Sequence, residues 1–417
     1  MIRVTCEAYP SEPPGELARN NCVNAAYTTY AAPQGVAMLE IRPGDTTSDM
    51  WQSENNGRTW RLAERLPCSE KRPGGLYARR DFGPLFVDPD NGRVIRFVRE
   101  FLTTEDPLTV QTYPHFVKVF VPMSQRTFYQ ISTNAGNTWD DLRQLVETGA
   151  GFDAERWAAG VVPGKHTTVL GEIPPFIKRP DGRIVIPYQG RLDVNPAVYG
   201  AIQAGRFTAR WREDLSDLTW QTGGMVWGGG CEQTVAQLKD GRMLNIMRTQ
   251  GLVSPYPFSL WQRPYTISED GGQTWSRPLP LRYDDGAGLT SPRAWSQLIR
   301  AEKNGRLYWM ANILPDLDTP KSAEIRKTWP SRADPRYPLQ IAEVDEDTLT
   351  LQRDTLTPII DRDPDETPYV RFSNFFAYND RETGDIRLII RKAYSEYQEN
   401  VLDMPQPGYR FSLEVPA

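Results

Sequence analysis

One octapeptide recurs along the chain: Ser53-Glu54-Asn55-Asn56-Gly57-Arg58-Thr59-Trp60, Ser132-Thr133-Asn134-Ala135-Gly136-Asn137-Thr138-Trp139 and Ser268-Glu269-Asp270-Gly271-Gly272-Gln273-Thr274-Trp275. A decayed copy stands at Glu213–Trp220. The shared pattern is S-x-(D/N)-x-G-x-T-W, and it has the chemistry of a turn between two strands. The Asn or Asp side chain folds back onto turn amides. The Gly takes a positive φ that a Cβ would oppose. The Trp opens the next strand and packs beneath the turn. Self-similarity of this kind predicts a repeat protein before any other feature is read.

A second repeat covers more of the chain. A Gly turn is followed seven residues later by a polar residue: Gly35 and Arg42, Gly92 and Arg99, Gly182 and Gln189, Gly241 and Arg248, Gly305 and Asn312, Gly384 and Arg391. Apolar residues flank each turn, as in Thr234–Leu238 and Met243–Met247. The octapeptide, where present, follows the Gly turn within a unit. Each unit therefore reads as four antiparallel strands A to D, with the Gly turn between A and B and the octapeptide between C and D. Radial repetition of such units is the signature of a β-propeller. The expectation is an all-β, six-bladed propeller forming one domain over residues 1–417. Seven blades is the alternative, if residues 1–34 form a blade of their own. Strand-like alternation at Ile2–Thr5 and Tyr409–Val415 predicts that both termini share one blade and close the ring. The 35 Pro, 32 Gly, 12 Trp and 18 Tyr favour short strands and turns over long helices. The Pro- and charge-rich segment Asp316–Arg336 predicts a loop inserted into the fifth blade.

Charge narrows the partners. With 48 Lys+Arg against 53 Asp+Glu, the net charge is -5, and nucleic acid as a partner is not expected, because phosphate neutralisation needs a concentrated basic surface. No run approaches the roughly 20 apolar residues that cross a bilayer, so no membrane partner is expected. Met1–Cys6 lacks the apolar core of a signal peptide; the expected location is cytoplasmic, or secreted with a leader removed. Four cysteines without paired spacing and two histidines give no metal-ligand pattern. Neither a metal nor an organic cofactor is expected.

Antiparallel order places the Gly turns and octapeptides at one face of the blades, as scaffold. The starts of the A strands and the ends of the B strands fall at the other face. Those B ends carry Arg42, Arg99, Gln189, Arg248, Asn312 and Arg391; the A starts carry Asp81, Glu172, Glu232, Trp295 and Asn374. Arginines match a carboxylate or sulfate bidentately, and carboxylates do acid–base work on glycosidic bonds. The pattern points to a pocket for an acidic sugar, so that the expected partner is an oligosaccharide or glycan. Arg248 with Arg99 or Arg391 would hold the anion. Trp295 is one of several aromatics placed to meet a sugar ring.

With both repeats in hand, the chain resembles the sialidase superfamily of Asp-box propellers, over most of residues 35–300. The block from Glu232 to Arg248 is similar to the sialidase glutamate that activates a tyrosine nucleophile, followed by one arginine of a carboxylate-binding triad. Glu40-Ile41-Arg42 is similar to an E-x-R at the end of the first B strand. The resemblance implies an acid/base aspartate in the next loop, at Asp45 or Asp49, and a further triad arginine at Arg263. It also implies an exo-acting glycoside hydrolase. The sequence departs from the family at two places. No arginine occupies the first A strand, Tyr27–Pro33, and Trp295 stands where the tyrosine is expected; Tyr188 or Tyr256 would have to serve instead. Three readings stay open. The first is a hydrolase using Glu232, Glu172 and Asp45. The second is a polysaccharide lyase acting on a uronate through His115, His166, Tyr188 and an arginine. The third is a sugar-binding propeller without catalysis.

Overall fold

The computed structural model describes residues 2–9, 26–44, 47–104, 124–161, 168–172, 174–191, 203–224, 226, 230–249, 261–315, 335–394 and 406–417. These form antiparallel sheets in the order the repeats predict. Blade one is β2 (Tyr27–Tyr30), β3 (Met38–Arg42), β4 (Thr47–Ser53) and β5 (Arg61–Pro67). Blade two is β6 (Ser69–Lys71), β7 (Tyr77–Val87), β8 (Val94–Thr103), β9 (Ser124–Ser132) and β10 (Arg143–Gln144). Blade three is β11 (Thr168–Glu172), β12 (Ile177–Lys178), β13 (Ile184–Arg191), β14 (Gln203–Trp211) and β15 (Leu218–Thr222). Blade four is β16 (Gly230–Gln237), β17 (Met243–Thr249), β18 (Pro264–Ser268) and β19 (Leu279–Pro280). Blade five is β20 (Ser296–Arg300), β21 (Leu307–Asn312), β22 (Leu339–Asp345), β23 (Thr350–Leu351) and β24 (Thr357–Ile360).

Blade six is β26 (Phe376–Asn379), β27 (Ile386–Arg391), β29 (Gly408–Glu414) and the N-terminal β1 (Arg3–Ala8), with β25 (Val370–Arg371) and β28 (Ala393–Tyr394) paired beside it. The β1–β29 register, Arg3 opposite Glu414 through Ala8 opposite Tyr409, joins the termini as expected. The fold class is thus the six-bladed β-propeller. Chain contacts divide it into two compact units: blades one to three within Ala26–Met225, and blades four to six within Val226–Ala417 together with β1.

The turns behave as their residues dictate. All six A–B glycines have φ between +66° and +90°, where a Cβ is disfavoured. In the first octapeptide the Gly57 amide donates to Ser53 Oγ at 2.9 Å and the Thr59 amide to Asn55 Oδ1 at 2.9 Å, while Trp60 Nε1 donates to the Gly57 carbonyl at 3.0 Å. The copy at Ser132 repeats the first two bonds at the same lengths. The copy at Ser268 repeats all three. The decayed copy lies in the β14–β15 turn, where the Ser216 amide donates to Asp214 and Leu215 takes φ +56°. A further turn of this kind, unread in the sequence, closes β22–β23: the Asp347 and Thr348 amides donate to Asp345 Oδ1, and Leu349 has φ +59°.

Asp270 gives the octapeptide a pH signature. Burial opposes its ionisation, yet the hydrogen bonds from Thr274, Ser268 and Gln273 win and hold its carboxyl at about 2, against an ordinary 3.8. A depressed folded-state value stabilises above the unfolded value and fades as pH falls towards the folded one. Asp270→Ala is therefore expected to lower the urea midpoint at pH 7, and the gap from wild type should narrow as pH falls from 3.8 to about 2. A gap that stays constant over that window would contradict the turn's charge-assisted bonding.

Packing between neighbouring blades fills each unit. In the first unit, Ile95, Phe97 and Tyr129 of blade two meet Ile184, Ile186, Tyr188 and Phe207 of blade three. Leu39, Ile41 and Met50 of blade one meet Val94 and Val98 of blade two. In the second, Leu244 and Ile246 meet Leu298 and Trp309, and Tyr308, Met310 and Ile341 meet Ile386, Leu388 and Phe411. Polar struts cross the same seams. Arg96, 1% exposed, reaches Glu64 of blade one and Gln130 of its own blade at 2.8 Å each, over the Trp139 ring at 4.3 Å.

Candidate active site

The A-start and B-end positions stand opposite each other across the inner strand pair of a blade. In blade two, Asp81 is opposite Arg99 in register, with 3.9 Å between their charged groups and Arg79 at 3.5 Å from the same carboxylate. In blade four, Cys231 is opposite Arg248, and the register then shifts before Thr234. That bulge leaves Glu232 with φ +40°. A β-bulge re-aims a side chain, and a non-glycine residue held at positive φ is strained backbone of the kind that clusters at functional sites. Here the strain turns the Glu232 carboxylate onto Arg248, with Oε1 and Nη1 2.5 Å apart. In blade six, the pairings of Arg371 with Ala393 and of Phe376 with Ile389 bracket Asn374, φ +58°, on one segment and Arg391 on the other.

Glu232 lies in an unusual field. Its side chain is 19% exposed. Burial pushes its carboxyl up, but the guanidinium groups of Arg248, Arg336 and Arg263 outweigh that and hold it below the ordinary 4.5. Three cations around one partly buried carboxylate keep it ionised at neutral pH.

Nothing in the sequence marks Arg336 as a site residue; it ends the expected loop Asp316–Arg336. It precedes β22, its carbonyl accepts from the Phe372 amide at 2.9 Å, and its Nη1 donates to Ser373 Oγ at 2.9 Å. Ser373 in turn donates to Asn374 Oδ1 at 3.0 Å. Asn312, fully buried, anchors the same corner by donating to the Phe372 carbonyl at 3.0 Å. The second unit thus gathers Glu232 and Arg248 from blade four, Arg336 from blade five and Ser373-Asn374 from blade six.

Other sequence candidates fall elsewhere. Arg263 is 1% exposed and spends its donors on the framework: Nε on Ser291 Oγ at 2.9 Å, Nη2 on the carbonyls of Pro292 and Ala294 at 2.7 and 2.6 Å. It acts on Glu232 through its charge while tying down the segment that leads to Trp295. Trp295, half-buried, packs with Trp261 against the core shared by blades five and six. Tyr188 is fully buried and stacks on Phe207 with centroids 4.3 Å apart; burial drives its hydroxyl well above its usual value. The structure makes it core rather than an accessible catalytic group, because it shares a strand face with Ile184 and Ile186. Glu172 ends β11 opposite Tyr188. Arg42 donates to the buried Glu40 at 2.6 Å and lies 4.4 Å over Trp51, and Thr28 donates to the same carboxylate at 2.9 Å. Asp49 faces Arg65 at 3.6 Å. Asp45, His115, His166 and Tyr256 lie outside the described residues.

A family model described as a BNR repeat-like domain matches residues 84–357. A search of curated proteins returns no match. Among solved structures, the fold is similar to that of a Dyadobacter fermentans protein of unknown function, at TM-score 0.54 and 15% identity over 100% of this chain and 99% of that one. It is similar to the GH93 α-L-arabinofuranosidase of Fusarium graminearum in complex with arabinobiose, at TM-score 0.53 and 12% identity over 93% and 92% of the two chains. The Trypanosoma rangeli sialidase in complex with sialic acid gives TM-score 0.57 and 13% identity over 98% of this chain and 58% of that one. Likeness at these identities carries the fold; chemistry has to come from the site.

Proposed function

The chain belongs to the BNR repeat-like domain family and has the sialidase-type propeller fold, and from that premise we propose that it is an exo-acting glycoside hydrolase releasing a terminal acidic sugar. The observation that carries the reading is Glu232: bulged out of its strand, paired with Arg248 at 2.5 Å and kept ionised by three arginines. An ionised carboxylate can accept a proton as a water or hydroxyl attacks the anomeric carbon. The glycosidic C–O bond breaks, the leaving oxygen takes a proton, and water supplies the new C–O bond. The arginines around Glu232 give the site a positive field suited to a substrate that brings its own negative charge. Both enzymes named among the similar structures are glycosidases, and the sialidase was seen with an acidic sugar.

The reading is tested by incubating the protein with acidic oligosaccharides and weighing the products. Single sugars released with a gain of one water per cleavage support it. Unsaturated products absorbing in the near-ultraviolet, with no water gained, would replace it by a lyase. Because Glu232 has to be ionised, the acid limb of kcat/KM is expected below the ordinary glutamate value of 4.5. An acid limb above that value would separate Glu232 from the rate.

A further inference from the structure

Among the described residues, six other than glycine hold a positive φ. Asn56, Ala135, Leu215 and Leu349 do so where a C–D turn closes. The other two are Glu232, at +40°, and Asn374, at +58°, the A-start residues of blades four and six. Asparagine tolerates this region better than most side chains, yet the conformation still has to be held by its surroundings. Those surroundings are explicit here. Phe372, Ser373 and Phe375 are buried, at 2%, 7% and 2% exposure, while Asn374 between them is only partly buried. The Phe372 amide donates to the Arg336 carbonyl at 2.9 Å, and its carbonyl accepts from Asn312 at 3.0 Å. The segment is pinned to blade five, and the one residue it keeps out of the core is the strained one.

A hydrogen-bond relay then sets the polarity of the Asn374 amide. Arg336 Nη1 donates to Ser373 Oγ at 2.9 Å, and the serine hydroxyl passes its own proton to Asn374 Oδ1 at 3.0 Å. With its oxygen on Ser373, the amide turns its two N–H donors away from that serine. Arg336 is also one of the cations that surround Glu232, so the relay runs from the carboxylate's field to blade six. We propose that Asn374 is a specificity-determining residue whose N–H groups donate to an acceptor oxygen of the bound sugar, a hydroxyl or an N-acyl carbonyl. The inference rests on the carbohydrate reading and adds a contact that repeat position alone does not name. Blade four brings an ionised carboxylate to this position; blade six brings a neutral donor whose direction is fixed from behind. A site built to hydrogen-bond one substrate oxygen discriminates against the analogue that lacks it.

Titration calorimetry tests it with the methyl glycosides of N-acetylneuraminate and glucuronate, their singly deoxygenated analogues, and the first sugar without its N-acetyl group. Asn374→Gly is the decisive variant, because glycine takes φ +58° without strain and the Arg336–Ser373 bond is left in place. Wild type is expected to bind at least one parent sugar about threefold to tenfold more tightly than the variant, the scale of one net hydrogen bond. For the analogue lacking the oxygen that Asn374 meets, the two proteins should bind alike. The identity of that analogue tells a hydroxyl from an N-acyl carbonyl. Tm of the variant should match or exceed that of wild type, which separates lost binding from lost folding. Asn374→Asp keeps the shape but exchanges donors for acceptors, and should lose at least as much.

Equal binding of the parent sugars by wild type and Asn374→Gly would overturn the proposal. So would a loss uniform across every analogue, as a structural role would give, or a wild type that binds none of these sugars. The hydrolase reading fails separately. Analogue-dependent binding through Asn374, with no sugar released from any acidic oligosaccharide, would remove the hydrolase and keep the contact. Release by Asn374→Gly at the wild-type kcat/KM would keep the hydrolase and remove the contact.

Discussion

Glu232→Gln is expected to lower kcat/KM by about 10³-fold, within the range for losing a positioned acid–base group. The substitution keeps the side chain's shape and removes its negative charge. Arg248, 2.5 Å away, then faces a neutral amide, and Arg336 and Arg263 lose the charge they surround. Ground-state binding of an anionic sugar should hold or tighten, because the site becomes more positive by one charge. The expected signature is thus a fall in kcat with KM steady or reduced. A proportional rise in KM with kcat intact would place Glu232 in binding rather than in chemistry. Far-ultraviolet circular dichroism should be unchanged, since Glu232 sits at a bulge and contributes no apolar burial.

Arg263→Ala is expected to cost about 3–5 kcal/mol of stability, the scale for breaking up a buried, hydrogen-bonded charge. The loss has three sources. The carbonyls of Pro292 and Ala294 lose their donor, Ser291 Oγ loses the Nε–H, and a cavity opens beside Trp309, whose ring lies 5.9 Å from the guanidinium. Urea unfolding measures it as a lower midpoint with an unchanged slope. Arg263→Lys keeps the charge but cannot reproduce the fork, so it should recover the pH profile of the reaction better than the stability. In Arg263→Ala, whatever activity remains should have its acid limb shifted upward, since one of the cations that ionise Glu232 is gone. A midpoint within error of wild type would show that the framework does not depend on this arginine.

The six blades were legible because each carries its own local code. A glycine at positive φ ends every A strand, and the Ser–Asx–Gly–Thr hydrogen bonds close three of the C–D turns. Neither needs long-range information. The A-start and B-end positions were legible for the same reason, and the structure pairs Glu232 with Arg248 there. Arg336 was not, because it lies in no repeat unit's marked position; the start of β22 and the hydrogen bond to Ser373 bring it to Glu232. Arg263 reads as a rim arginine, yet its acceptors are backbone carbonyls about thirty residues away, which no side-chain pattern announces. Tyr188 could have been read correctly from period two alone: Ile184, Ile186 and Tyr188 share a face, and that face is core.

The claim on which the rest depends is that Glu232 drives addition of water to a glycosidic bond. It is tested most directly by cleaving an acidic oligosaccharide in water enriched in oxygen-18, with wild type and Glu232→Gln side by side. The account predicts a single heavy oxygen on the anomeric carbon of the sugar released by wild type, and almost no release by the variant in the same time. An unsaturated product without heavy oxygen, or equal release by the two proteins, would contradict it.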